Sequence, residues 1–278
     1  MIVTARAFWA PKAGNRPEEY EDAFWPSQTT KRTGKPARGK TAGHGHGKAA
    51  ARAEGQTPGS GADGGVSQIM RFAVADGATE TSFAGLWARQ LVAAFGRGCF
   101  DGNDWLADLR REQSAWYAEV LQKPLPWYAE EKVHAGAYAA LLGLELAANG
   151  SWRSLAVGDC CLFHWREEGL VTAFPAQEAS FFTSRPYLLS SSAAHNGGLE
   201  EQVLRSEGQW LPGDRFALLS DALAQWALRE LEAGSTPWPA LAQLQAGDRR
   251  HFTRWVEGLR SSAALRNDDV TALLIALA

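Results

Sequence analysis

Phe72-Ala73-Val74-Ala75-Asp76-Gly77 is a short apolar run that stops on an acid and a glycine. It reads as a buried strand that delivers a carboxylate at its end. The same pattern returns in Leu155-Ala156-Val157-Gly158-Asp159 and in Phe216-Ala217-Leu218-Leu219-Ser220-Asp221. Acids also stand at Glu21-Asp22 and inside Asn267-Asp268-Asp269-Val270-Thr271. A single strand ending in Asp-Gly is ordinary turn chemistry. Burying such an acid without a partner is costly, and gathering several in one place makes sense where a hard, oxygen-preferring cation neutralises them.

The rest of the chain limits what that cation-holding site can belong to. With 278 residues, 45% of them hydrophobic, there is enough apolar material for one large domain with a substantial core. A net charge of −3 gives no global attraction to nucleic acid or to an anionic membrane, so neither is expected as a partner. There are three cysteines, two of them adjacent (Cys160 and Cys161), which suits a reducing cytoplasm. The start of the chain has no apolar core followed by a cleavage site, and no stretch is long and apolar enough to span a bilayer. No Cys/His cluster has zinc-ligand spacing, and His44-Gly45-His46 lacks further ligands around it.

Between about residues 27 and 67 the composition turns to Gly, Ala, Lys, Arg, Thr and Pro, which cannot bury enough to order itself. We expect a disordered, basic insertion within a single domain spanning 1–278. Its bland reading is a solvated loop; the alternative is docking to an acidic partner or to nucleic acid. After Gly77, the spacing of Phe83, Leu86, Trp87, Leu91 and Phe95 predicts a helix capped by Thr79 or Thr81. A second helix is expected over Asp104 to Val120. Strands follow over about Ala135 to Leu146, Ser151 to Trp165 and Leu170 to Phe174. Pro175 to Gly213 reads as a long surface excursion, before a strand at Arg215 to Leu219. Helices over Ala222 to Glu232 and His251 to Leu259, then a strand at Val270 to Ile275, complete the chain. Strands and helices that come in runs favour an α+β layered fold.

In order and wording, Glu21-Asp22-Ala23-Phe24, Val74-Ala75-Asp76-Gly77, Val157-Gly158-Asp159-Cys160, Leu218-Leu219-Ser220-Asp221 and Asp268-Asp269-Val270-Thr271 resemble the motifs of the PPM/PP2C metal-dependent serine/threonine protein phosphatases. The resemblance runs from about Arg16 to the C-terminus and points to a divergent, bacterial-type member. It implies an αββα sandwich, two packed antiparallel β-sheets flanked by α-helices. It also implies two divalent ions, Mg²⁺ or Mn²⁺, with a third, weaker site.

Carried onto this sequence, Asp76 bridges the two metals and the Gly77 carbonyl binds the second. Asp221 and Asp269 ligate the first metal, and Glu21 holds the second through water. Asp22 supports the cluster, and Asp159 serves the third metal or merely turns the chain at a strand end. Asp76, Asp221 and Asp269 would thus carry catalysis, and Arg16 would hold the substrate phosphate. The implied reaction is hydrolysis of phosphoserine and phosphothreonine in proteins by metal-activated water, opposing a cognate kinase. The alternative is a weakly active or inactive module of the same fold that binds phosphoproteins. Departures from the family's wording, Ala78-Thr79-Glu80 after Gly77 and Ala222 after Asp221, surround the site.

Overall fold

The computed structural model describes residues 2–25, 30–33, 69–100, 102, 104–122, 127–182 and 185–278. Its strands are β1 (Ile2–Ala10), β2 (Ala23–Trp25), β3 (Thr30–Thr33), β4 (Ile69–Gly77), β5 (Tyr138–Ala147), β6 (Ser151–Val157), β7 (Cys161–Arg166), β8 (Gly169–Phe174), β9 (Leu189–Ser190), β10 (Leu204–Gln209), β11 (Arg215–Leu219) and β12 (Val270–Leu277). Its helices are α1 (Ala84–Arg97), α2 (Trp105–Val120), α3 (Trp127–Ala135), α4 (Leu199–Gln202), α5 (Asp221–Glu232), α6 (Trp238–Ala246) and α7 (Arg249–Ser261).

Two antiparallel sheets result, in the orders β3-β1-β12-β11-β7-β8 and β10-β6-β5-β4-β2, with the short β9 pairing the start of β5. The expected sandwich is therefore present. Period-two alternation on β4 divides its side chains between two layers: Phe72 and Val74 enter the core between the sheets, whereas Ala73 and Ala75 face α1. Small residues on that outer face let Trp87, Leu91 and Phe95 of α1 press close. Phe216 and Leu218 of β11 join the central layer, and Ala217 and Leu219 face α5, α6 and α7 on the opposite flank. Each fully buried large side chain contributes on the order of 1.5–3 kcal/mol.

Four expectations are corrected. The run from Ser151 to Trp165 is two strands in different sheets, because Gly158 adopts φ +95° and turns the chain across the sandwich. A Cβ there would stand 2.6 Å from that of Ala140, so the crossing needs glycine on two counts. Neither threonine caps α1: Phe83 precedes it in the left-handed region, and the Thr81 hydroxyl donates to the Ala78 carbonyl instead. The stretch from Pro175 to Gly213 is not all surface, since Leu189, Ser190 and Ser191 are buried and β10 extends a sheet. The serines tolerate burial because their polar groups are paired, Ser191 Oγ with the Ala137 amide and the Ser190 carbonyl with Gln113 Nε2. Finally, α3 and α6 are additional helices. The 27–67 insertion lies outside the described residues except for 30–33, which pair with β1. Cys160 and Cys161 face opposite cores. No helix among the described residues is long and apolar enough to cross a membrane.

Candidate metal centre

Antiparallel pairing brings the motif acids to one end of the sandwich. Asp22 immediately precedes β2, Asp76 is next to last in β4, Asp159 lies on the crossing from β6 to β7, α5 opens on Asp221, and Asp269 immediately precedes β12. Ala23 pairs with Ala75 and Leu219 with Ala272, so strand starts and strand ends coincide there.

Asp76, Asp159 and Asp221 each bring a carboxylate oxygen to within 4.8 Å of the others. With Gly77, Thr79, Arg185, Arg266 and Asp268 they line an open cleft of about 660 Å³. A Cβ on Gly77 would lie 2.7 Å from the Glu21 carbonyl oxygen, so only glycine lets the two backbones approach this closely. That approach keeps Glu21 at the rim of the acid cluster.

The acids raise one another's pKa values. Burial holds the Asp76 carboxyl well above the usual range, and the charges of Asp22 and Asp159 add to the rise. Burial pushes Asp22 up to about 7, against the pull of a hydrogen bond from Thr271. Burial also lifts Asp159 to about 6, with the Arg266 charge opposing, and it raises Glu21. A hydrogen-bond chain holds Asp22 in place: Thr271 Oγ1 donates to its Oδ2 at 2.7 Å, which leaves the Tyr20 hydroxyl as donor to Thr271. Burial, followed by the Asp22 charge, keeps Tyr20 protonated for that role. An all-oxygen donor set whose members disfavour each other's ionisation suits a hard divalent cation.

The sequence expectations separate at this point. Asp76, Gly77, Asp159 and Asp221 all line the cleft. Asp269 does not: its Oδ1 accepts the Lys12 amide at 2.7 Å and its Oδ2 the Glu21 amide at 2.8 Å, so it ties two segments together. Asp268 takes the place on the cleft wall. Arg16 is exposed, its amide bonded to the Glu19 carboxylate at 2.7 Å, and it is not among the lining residues. Arg185 and Arg266 are the arginines on the wall. Arg266 pairs with Asp221 and lies 3.4 Å from Asp268. Its position two residues before the acid pair was a visible signal; nothing in the local sequence marked Arg185. Cys160 and Cys161 are poor nucleophile candidates, because burial raises both thiols.

No family model and no curated protein matches the sequence. Solved structures do. The Mycobacterium tuberculosis serine/threonine phosphatase PstP/Ppp overlays with a TM-score of 0.59 at 16% identity, covering 100% of this chain and 99% of that one. PppA, a regulatory component of the type VI secretion system of Pseudomonas aeruginosa, overlays at 0.55 and 15%, again with 100% and 99% coverage. The catalytic domain of PstP in complex with two manganese ions gives 0.53 and 15%, with 99% of both chains covered. From the first strand to the last, the chain has the fold of the PPM/PP2C-type serine/threonine phosphatases.

Proposed function

We propose that the cleft holds two divalent cations, Mg²⁺ or Mn²⁺, and hydrolyses phosphoserine and phosphothreonine in proteins, reversing a protein kinase. The observation that carries this reading is the convergence of Asp76, Asp159 and Asp221 in an open cleft. The overlay with a phosphatase structure containing two manganese ions supports it. Asp76, Asp221, Asp268 and the Gly77 carbonyl are the proposed ligands, with Glu21 at the rim. Asp159 adds a carboxylate to a third, weaker site. Asp22 and Asp269 act as positioning residues, the first beside Asp76 and the second on the Glu21 backbone.

Bound there, divalent cations would lower the pKa of water and screen the phosphoryl oxygens. The residues themselves must first lose protons that burial makes them keep, so metal uptake releases protons and strengthens as pH rises. Arg185 lies on the cleft wall, and its guanidinium has the planar shape suited to phosphate, the task the resemblance implied for Arg16.

The test is hydrolysis of p-nitrophenyl phosphate and a phosphothreonine peptide with Mn²⁺, Mg²⁺ or EDTA, comparing the intact protein with Asp76→Asn and Asp221→Asn. Metal-dependent turnover that both variants lose is the expected result. Measurable Mn²⁺ binding without turnover would overturn the enzymatic reading. It would favour a phosphoprotein-binding module, a reading supported by the protein cation already paired with Asp221.

A further inference from the structure

Arg266 stands in the loop between α7 and β12 with its side chain 37% exposed on the cleft wall. Its Nη2 pairs with Asp221 Oδ2, and its Nε lies 3.4 Å from Asp268 Oδ2. Holding this loop in place is the work of a different arginine. Arg260 donates Nη1 to the Pro11 carbonyl at 3.0 Å and Nη2 to the Asp268 carbonyl, so the backbone is anchored without Arg266. Arg266 instead addresses the carboxylates, and its charge reaches Asp159 as well. Three of the cleft's four aspartates therefore feel one guanidinium. An oxygen engaged by a guanidinium N–H is not free to face a cation from the same side.

Resting on the metal-binding reading above, we infer that Arg266 is a built-in competing cation. It neutralises Asp221 and Asp268 while the metal is absent and must swing away before they can take one. Metal affinity at this centre is then lower than its acid set alone would give, and loading follows the ambient divalent concentration. Once displaced, the guanidinium is left on the wall of the same cleft, where it presents donors to whatever anion enters.

Mn²⁺ affinity, measured by calorimetry and by the paramagnetic signal of free Mn²⁺ without any substrate, tests this in the wild type, Arg266→Met, Arg266→Lys and Asp76→Asn. Removing a charge-assisted pair that competes with the metal should tighten Mn²⁺ binding in Arg266→Met by roughly tenfold or more. Arg266→Lys, which keeps the charge but loses the fork, should fall between. The metal-free melting temperature of Arg266→Met should drop while its Mn²⁺-induced rise grows. Equal or weaker Mn²⁺ binding in Arg266→Met, with the fold intact by circular dichroism, overturns the inference and leaves the metal centre standing. Absence of Mn²⁺ binding in the wild type, matched by Asp76→Asn, overturns the metal reading and this inference with it.

Discussion

Strand β11 has an acid just beyond each end, Asp214 before Arg215 and Asp221 after Ser220, and their surroundings are opposite in kind. Asp214 is fully buried yet meets only donors: His164 Nε2 at 2.8 Å, Arg166 Nε at 2.7 Å and Nη2 at 2.9 Å, and the Leu211 amide at 2.9 Å. Burial raises its pKa, but these partners outweigh burial and hold the carboxyl below its usual value. Burial in turn keeps His164 neutral, stacked on Phe216 at 4.2 Å, although Asp214 pulls the other way. Asp221 meets other carboxylates, one arginine and the amide of Ala222 next to it. Its neighbours Asp76 and Asp159 are pushed up rather than down. A buried acid surrounded by donors is finished by the protein itself and is structural. A buried acid surrounded by acids needs positive charge from outside, which is a reason to look for chemistry there.

The comparison breaks most visibly at Asp76. Asp76→Asn should lower metal-dependent hydrolysis by about 10²-fold or more, as expected when a group stabilising transition-state charge is lost. The metal-free melting temperature should hold, because a neutral amide stands in for a carboxyl that burial already keeps protonated. A sharp fall in that temperature would make the acid end structural and erase the contrast.

At the other end, Asp214→Ala leaves His164, Arg166 and the Leu211 amide without their acceptor. A loss of about 3 kcal/mol in urea denaturation is expected, with activity per folded molecule unchanged. An unshifted midpoint would mean that the donors around Asp214 contribute nothing net.

Neighbouring acids sharpen the distinction further. Asp268→Ala should reduce turnover while leaving stability near wild type. Asp269→Ala frees the Lys12 and Glu21 amides and should cost about 1–2 kcal/mol. If the two effects are exchanged, Asp269 is the ligand after all.

The last effect is a slope. Asp22 and Asp159 titrate near 7 and 6 in the folded protein, above their ordinary value of 3.8, so the native state binds their protons more tightly than the unfolded chain. The acid end should therefore lose stability as pH rises from 3.8 through about 7 when metal is absent. Saturating Mn²⁺ should flatten that loss. Melting curves with EDTA or Mn²⁺ across this range provide the check.

Much of this was legible in the sequence because it is local. Apolar runs ending on an acid mark strand ends whatever surrounds them, and Gly77 and Gly158 mark backbone positions where a Cβ does not fit. The α1 periodicity was equally plain, while its start was misread because a threonine hydroxyl can serve a turn as readily as a cap. Missing from the sequence was the sense of each side chain. Asp268 and Asp269 are adjacent and chemically alike, and only the entry of β12 turns one toward the cleft and the other toward the Glu21 backbone. Arg185 reaches the cleft from a segment of weak periodicity. That acids stand at strand ends of a layered α+β domain follows from local chemistry, since hydrophobic alternation and turn chemistry act over a few residues. Which acids face one another, which are answered by His164 and Arg166, and which are answered by Arg266 was decided only by the tertiary structure, because charge interactions depend on distances between residues far apart in the chain.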